Sequence, residues 1–120
     1  MVKRQAIVRK SDGLVMNVVI SPDEGFPFIL PEGFEVIDAP EGQGLELGNE
    51  VDTTVPTRPV KRNLRREEAD VLTQLGQARD PEEKARLEGQ LTAIRQKAQA
   101  NLVEARSEFE SLLTKLKPKS

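Results

Sequence analysis

From residue 81 to residue 117 the chain carries an apolar repeat that only a long helix can use, and in 120 residues that fixes much of the fold. The helix has a marked start. Asp80 can cap it, Pro81 suits its first position, and Glu82 and Glu83 set negative charge at the positive end of the macrodipole. No proline interrupts it before Pro118, so at 1.5 Å per residue it would reach about 55 Å. Its stripe is Leu87, Leu91, Ile94, Ala98, Leu102, Ala105, Phe109, Leu112 and Leu116. Two steps of four in succession, 94 to 98 to 102, make a stutter in an otherwise heptad spacing. Keeping strict phase instead would bring Asn101 and Glu108 into the seam.

A stripe of that length needs cover. Residues 64–75 give a second, shorter helical pattern (Leu64, Val71, Leu72, Leu75), with Gly76 as a plausible end signal. An αα-hairpin with residues 76–80 as its loop is favoured over one kinked helix, because the glycine and the fresh N-cap occur together. The short partner covers only residues 81–98. That leaves Leu102, Ala105, Phe109, Leu112 and Leu116 as the expected interface of a homo-oligomer, a dimer or trimer. The stutter falls at the boundary between the two kinds of packing.

The front half reads as β. Residues 4–10 and 14–20 flank Asp12-Gly13, the signature of a tight type I′ turn with φ > 0 at both central positions. Simple alternation puts Leu14, Met16, Val18 and Ile20 on one face and Val15, Asn17 and Val19 on the other. Two apolar faces predict a strand that is central or covered on both sides. Residues 21–33 form a Pro/Gly loop with Phe26 and Phe28 as anchors. Residues 34–38 alternate as a third strand, and residues 45–47 suggest a short fourth. The expected class is α+β: a small antiparallel β module at residues 1–54, a proline-containing basic linker at 55–62, and a helical hairpin at 63–117 that ends in a coiled-coil-like helix.

Chemistry has few residues to work with. There is no Cys and no His, which removes thiolate sites, the commonest general base and the commonest metal ligand. The pairs Glu67/Glu68, Glu82/Glu83 and Glu108/Glu110 fall on patterned helices, where a solvated face explains them. Gly42-Gln43-Gly44 lacks the context of a dinucleotide fingerprint. No catalytic residue, cofactor or metal is expected, and the chain reads as a non-enzyme. No apolar run suits a membrane span or secretory leader, so synthesis in the cytoplasm is expected.

Charge is unevenly placed. Residues 1–57 hold four basic and ten acidic residues, a net of −6, whereas residues 58–120 carry a net of +4. The basic excess concentrates in Arg58, Lys61, Arg62, Arg65 and Arg66. Five cations in nine residues can neutralise phosphates, but no aromatic lies among them to stack on bases. An electrostatic contact with an acidic protein surface is the preferred reading, and a small nucleic-acid-binding regulator the alternative.

The front half also has a recognisable outline. Gln5-Ala6-Ile7-Val8 leads to Asp12-Gly13 and Val15-Met16-Asn17-Val18-Val19, and then to Leu30-Pro31-Glu32-Gly33-Phe34-Glu35-Val36-Ile37-Asp38-Ala39-Pro40. Over residues 4–48 this resembles the small N-terminal β module of phage tail-fibre assembly proteins and related small phage tail accessory proteins. The usual continuation of that pattern, an aromatic-bearing Gly-Trp-x-Tyr stretch, has no counterpart in Gly44-Leu45-Glu46-Leu47-Gly48-Asn49. The resemblance implies a phage structural or accessory protein located in the virion, binding other phage proteins and carrying no catalytic residues. The β module would dock on a tail, neck, fibre or capsid element through Phe26, Phe28 and Phe34, and a transient tail-fibre assembly chaperone is the alternative.

Overall fold

A computed structural model describes residues 2–119. Seven strands and two helices follow in order: β1 (Val2–Arg9), β2 (Val15–Pro22), β3 (Phe28–Ile29), β4 (Phe34–Asp38), β5 (Glu50–Val51), β6 (Val60–Arg62), α1 (Leu64–Gln77), α2 (Pro81–Leu113) and β7 (Lys117–Pro118). The class is α+β, as the sequence predicts. An antiparallel sheet of order β2-β1-β4 forms a head, α2 lies across it, and α1 and the first half of α2 make a helical hairpin. The molecule measures 61 × 28 × 23 Å.

The β1–β2 pairing differs from simple alternation. Ile7 pairs with Asn17 but Val8 pairs with Val15, so Met16 is passed over in a bulge. An extra residue reverses the side-chain phase beyond it. Val15 therefore joins Val18, Ala6 and Val8 on one face, and Met16 joins Val19 and Ile7 on the other. β2 is an outer strand rather than a central one, yet both of its faces are covered. The first is roofed by Ala39, Leu45, Val51 and Val60; the second lies under Phe26, Phe109 and Leu112. The turn is also not type I′, since Gly13 has φ +78° and Asp12 stays at negative φ. Residues 45–47 form no strand; β5 comes later, at Glu50–Val51, and pairs with β6 inside the segment expected to be a free linker.

Local cap chemistry sets the helix starts. Asn63 Oδ1 accepts from Arg66 N, and Asp80 Oδ1 accepts from Glu82 N at 3.0 Å with Pro81 next in line. Gly76 lies within α1, which ends at Gln77 with Ala78 extended as its C-cap. The hairpin is real: Leu64 and Val71 pack against Leu87, Leu91 and Ile94.

Two expectations for the long helix are corrected. α2 ends at Leu113, not 117, because Lys117–Pro118 pairs with β3. Its buried positions, Leu87, Leu91, Ile94, Asn101, Ala105 and Leu112, with Ala98 half-buried, keep one heptad phase throughout. There is no stutter. Asn101 takes the seam position, 4 % exposed, and donates to Gly48 O (2.9 Å) and Glu50 Oε2 (3.0 Å). The seam tolerates an amide because the sheet edge offers it two acceptors. Beyond residue 101 the stripe is not left open, since the chain's own sheet covers it.

Candidate docking surfaces

The residues expected to form an oligomer seam are mostly occupied inside the molecule. Ala105 is 0 % and Leu112 1 % exposed, and Phe109 and Leu116 pack on the same core with Ile7, Met16 and Phe26. Leu102 is half-buried beside Gly48, where a Cβ added to the glycine would meet Leu102 Cδ2 at 3.2 Å. A seam between copies built from these five would have to strip the sheet of its cover. On α2 the large apolar side chains that remain exposed are Val103 and Leu113.

The three docking phenylalanines separate. Phe26 is buried and stacks tilted against Phe28, ring centroids 5.6 Å apart, while Phe28 keeps an exposed edge. Phe34 pairs with Arg9 at the far end of β4 and packs into the core beneath α2, so it is not part of an exposed surface. Around Phe28 the chain gathers its last residues: β7 pairs with β3, and Lys119 N donates to Pro27 O at 3.0 Å. Val2 and Ile20, each 65 % exposed, stand where β1 begins and β2 ends, on the face of the sheet shared with Ala6 and Val18, whereas Ile29, 54 % exposed, adjoins Phe28 near the opposite face.

Two cavities of about 370 Å³ each open beside β4. One is lined by Gln5, Phe28, Leu30, Val36 and Lys119; the other by Ile37, Leu45 and Val60 together with Asp38, Gln43 and Arg58. Gln5 is 6 % exposed and donates from Nε2 to Asp38 Oδ1 at 3.0 Å, but its Oε1 is buried without a partner.

The basic cluster is largely answered by carboxylates of the same chain. Arg58 forks onto Glu35, with Nη2 3.1 Å from Oε2, and also donates to Val55 O. Lys61 lies 3.8 Å from Glu50, Arg62 grips both oxygens of Glu67 (2.9 and 3.2 Å), and Arg65 reaches Glu46 at 2.9 Å. Arg66 alone of the five has no carboxylate partner among the described residues. Three of the five therefore reach carboxylates of the β head of their own chain, and Arg62 is held by α1.

A second electrostatic feature, unmarked in the sequence, clamps the head to α2. Arg9, 14 % exposed, reaches Asp12 (2.6 Å), Glu104 (2.8 Å) and Glu108 (3.4 Å). The Asp12 hydrogen bond raises the guanidinium's pKa against the opposing effect of burial, and Arg9 in turn lowers that of Asp12. Asn49, 2 % exposed, ties the loop to α1 by donating to Gly44 O and Asn63 Oδ1 and accepting from Leu64 N at 3.0 Å.

Glu35 titrates below the usual carboxylate range because Arg58 hydrogen-bonds its charged form. A depressed folded pKa gives stability that is complete above the unfolded value of about 4.3 and is lost as pH falls through the folded one. Glu35→Gln should therefore lower the urea midpoint at pH 7, and the gap from wild type should be narrower at pH 3. An equal gap at both pH values would show that the pair adds no pH-dependent stability.

Among the described residues, no group of three or more Asp, Glu, His or Cys could hold a metal ion, and no helix is long and apolar enough to cross a membrane. No protein-family model, curated protein or solved structure matches the chain.

Proposed function

We propose that the chain is a non-enzymatic structural or accessory component of a bacteriophage particle, whose β head docks on another virion protein through the end that carries Phe28. The observation that supports docking is the adjacent exposed pair Phe28 and Ile29, which borders a cavity beside β4. Single exposed apolar residues are ordinary, but an exposed pair bordering a cavity marks a contact surface. The phage assignment rests on the outline of residues 4–48. A protein-binding role is favoured over nucleic acid because four of the five clustered cations already face carboxylates. Self-association through α2 belongs to the same reading, using the side that carries Val103 rather than the occupied seam.

Mass spectrometry of purified particles from the phage that encodes the chain tests the reading. The chain should be present in fixed proportion, and an Ile29→Asp variant should be missing from the particles while still folding. Presence in assembly intermediates only would favour the transient chaperone. Absence from both would remove the phage reading.

A further inference from the structure

We propose that β4 is a receiving edge: an extended segment of a partner protein adds to the sheet beside it and places neighbouring side chains into the two cavities on its opposite faces. This deepens the docking reading and rests on it. β4 is an outer strand, with one edge taken by β1 in the register Gln5–Asp38 to Arg9–Phe34. Among the described residues, no backbone hydrogen bond from another segment reaches its other edge. The other outer strand is partly closed. On β2, Val15 N donates to Asn49 O, Val15 O accepts from Gly48 N, and Val18 N is taken by Asn17 Oδ1.

The cavities match the pleat of an added strand. Val36 faces one and Ile37 the other, because successive residues of a strand point to opposite faces. A strand laid along β4 shares that alternation, so two adjacent residues of the newcomer enter the two cavities. Main-chain bonds to the edge then give affinity and the first cavity gives selectivity.

The first cavity names its guest more closely. Its walls include Phe26, Phe28, Leu30, Val36 and Lys119, and among the described residues the buried side-chain atom there without a partner is Gln5 Oε1. An unpaired buried acceptor is costly, and an arriving donor relieves it. The side chain called for has an apolar body and a donor at its tip, which describes Tyr or Trp. The second cavity mixes Ile37, Leu45 and Val60 with Asp38, Gln43, Thr57 and Arg58, so it does not select one kind of side chain. This chain has no Tyr and no Trp, so a second copy cannot supply that guest. The occupant is a different protein carrying a Tyr or Trp in an extended segment.

A displayed library of random decapeptides, selected on the immobilised full chain, tests this without any phage particle. Enriched sequences should share a Tyr or Trp. Fluorescence of the synthetic peptide should saturate against a protein that has neither fluorophore. Tyr→Phe or Trp→Phe in the peptide should weaken binding about tenfold to wild type and not at all to Gln5→Leu. N-methylation of alternate peptide amides should abolish binding in one phase only, and bound peptide should slow amide exchange in residues 34–38. No enrichment over bare support, equal tolerance of both N-methyl phases, or protection confined to α2 would each overturn the proposal. Peptide binding by a chain absent from particles would overturn the virion reading alone, and the reverse result would overturn the edge alone.

Discussion

Gly13→Ala should lower stability by about 3–4 kcal/mol, moving the urea midpoint by roughly 2 M at the slope usual for a small protein. Two costs coincide. Gly13 sits at φ +78°, where an L side chain costs about 1–2 kcal/mol. A Cβ there would also stand 1.8 Å from Val51 O and 2.9 Å from Val51 C, so the backbone must separate. That separation breaks Val51 N–H to Gly13 O (2.9 Å) and the neighbouring Leu14–Glu50 bridge, worth about 1 kcal/mol each. These contacts join β5 to the first hairpin, and β5 carries the fully buried Val51 that closes one face of the sheet. Gly25→Ala is the internal control. Its φ is +104°, but nothing lies within 4 Å of an added Cβ, so only the conformational cost of about 1–2 kcal/mol applies. Equal losses in the two variants would mean that the close approach to Val51 contributes nothing.

Gly13 also shows what the sequence discloses and what it withholds. Asp12-Gly13 marks a turn through local chemistry, so the hairpin is legible. The approach of Val51 is not, because it joins residues almost forty positions apart. The same division runs through the chain. Asp80-Pro81 states where α2 begins, since a cap acts within one turn. Nothing local states where α2 ends, because Lys117–Pro118 leaves the helical course to pair with β3 far up the chain. Alternation in β2 is misread from Met16 onward because a bulge is a property of two strands and leaves no mark in either one.

The candidate site follows the same rule. Arg62 finds Glu67 five residues away, within sight of a sequence reader, whereas Arg58 finds Glu35 across 23 positions. Asn101 breaks an apolar stripe on paper and completes it in space, because Gly48 O lies 53 positions back. Reading the stripe as apolar only therefore produces a stutter where the helix keeps one phase. Gln5 carries no sequence signal at all. Its importance comes from one unmet oxygen beside a cavity that forms only when β3, β4 and the chain's last residues converge.

Leu112→Ala should cost about 2–5 kcal/mol, the range for a fully buried leucine. Leu112 is 1 % exposed, the penultimate residue of α2, and packs with Ile7, Met16 and Phe26 on the sheet's second face. Phe109 and Leu116 flank it, so the cavity left behind has rings and aliphatic walls that cannot all close in together. If this packing is internal to one chain, the loss is unimolecular. Unfolding midpoints of wild type and variant should then shift by the same amount at every protein concentration, and light scattering should give the same mass before and after the change. Val103→Lys should behave oppositely. Val103 is 56 % exposed on the other side of the helix, so a charge there should leave the unfolding midpoint within about 0.5 kcal/mol while lowering the mass of any α2-mediated oligomer. A wild-type chain that scatters as a monomer would remove self-association from the proposal and leave the Leu112 expectation standing. Leu112→Asp decides the harder question, since a buried unpaired carboxylate cannot be tolerated in the head. It should unfold the sheet–helix packing outright. A variant that instead stays folded and merely dissociates would place Leu112 between chains and return the seam to a partner.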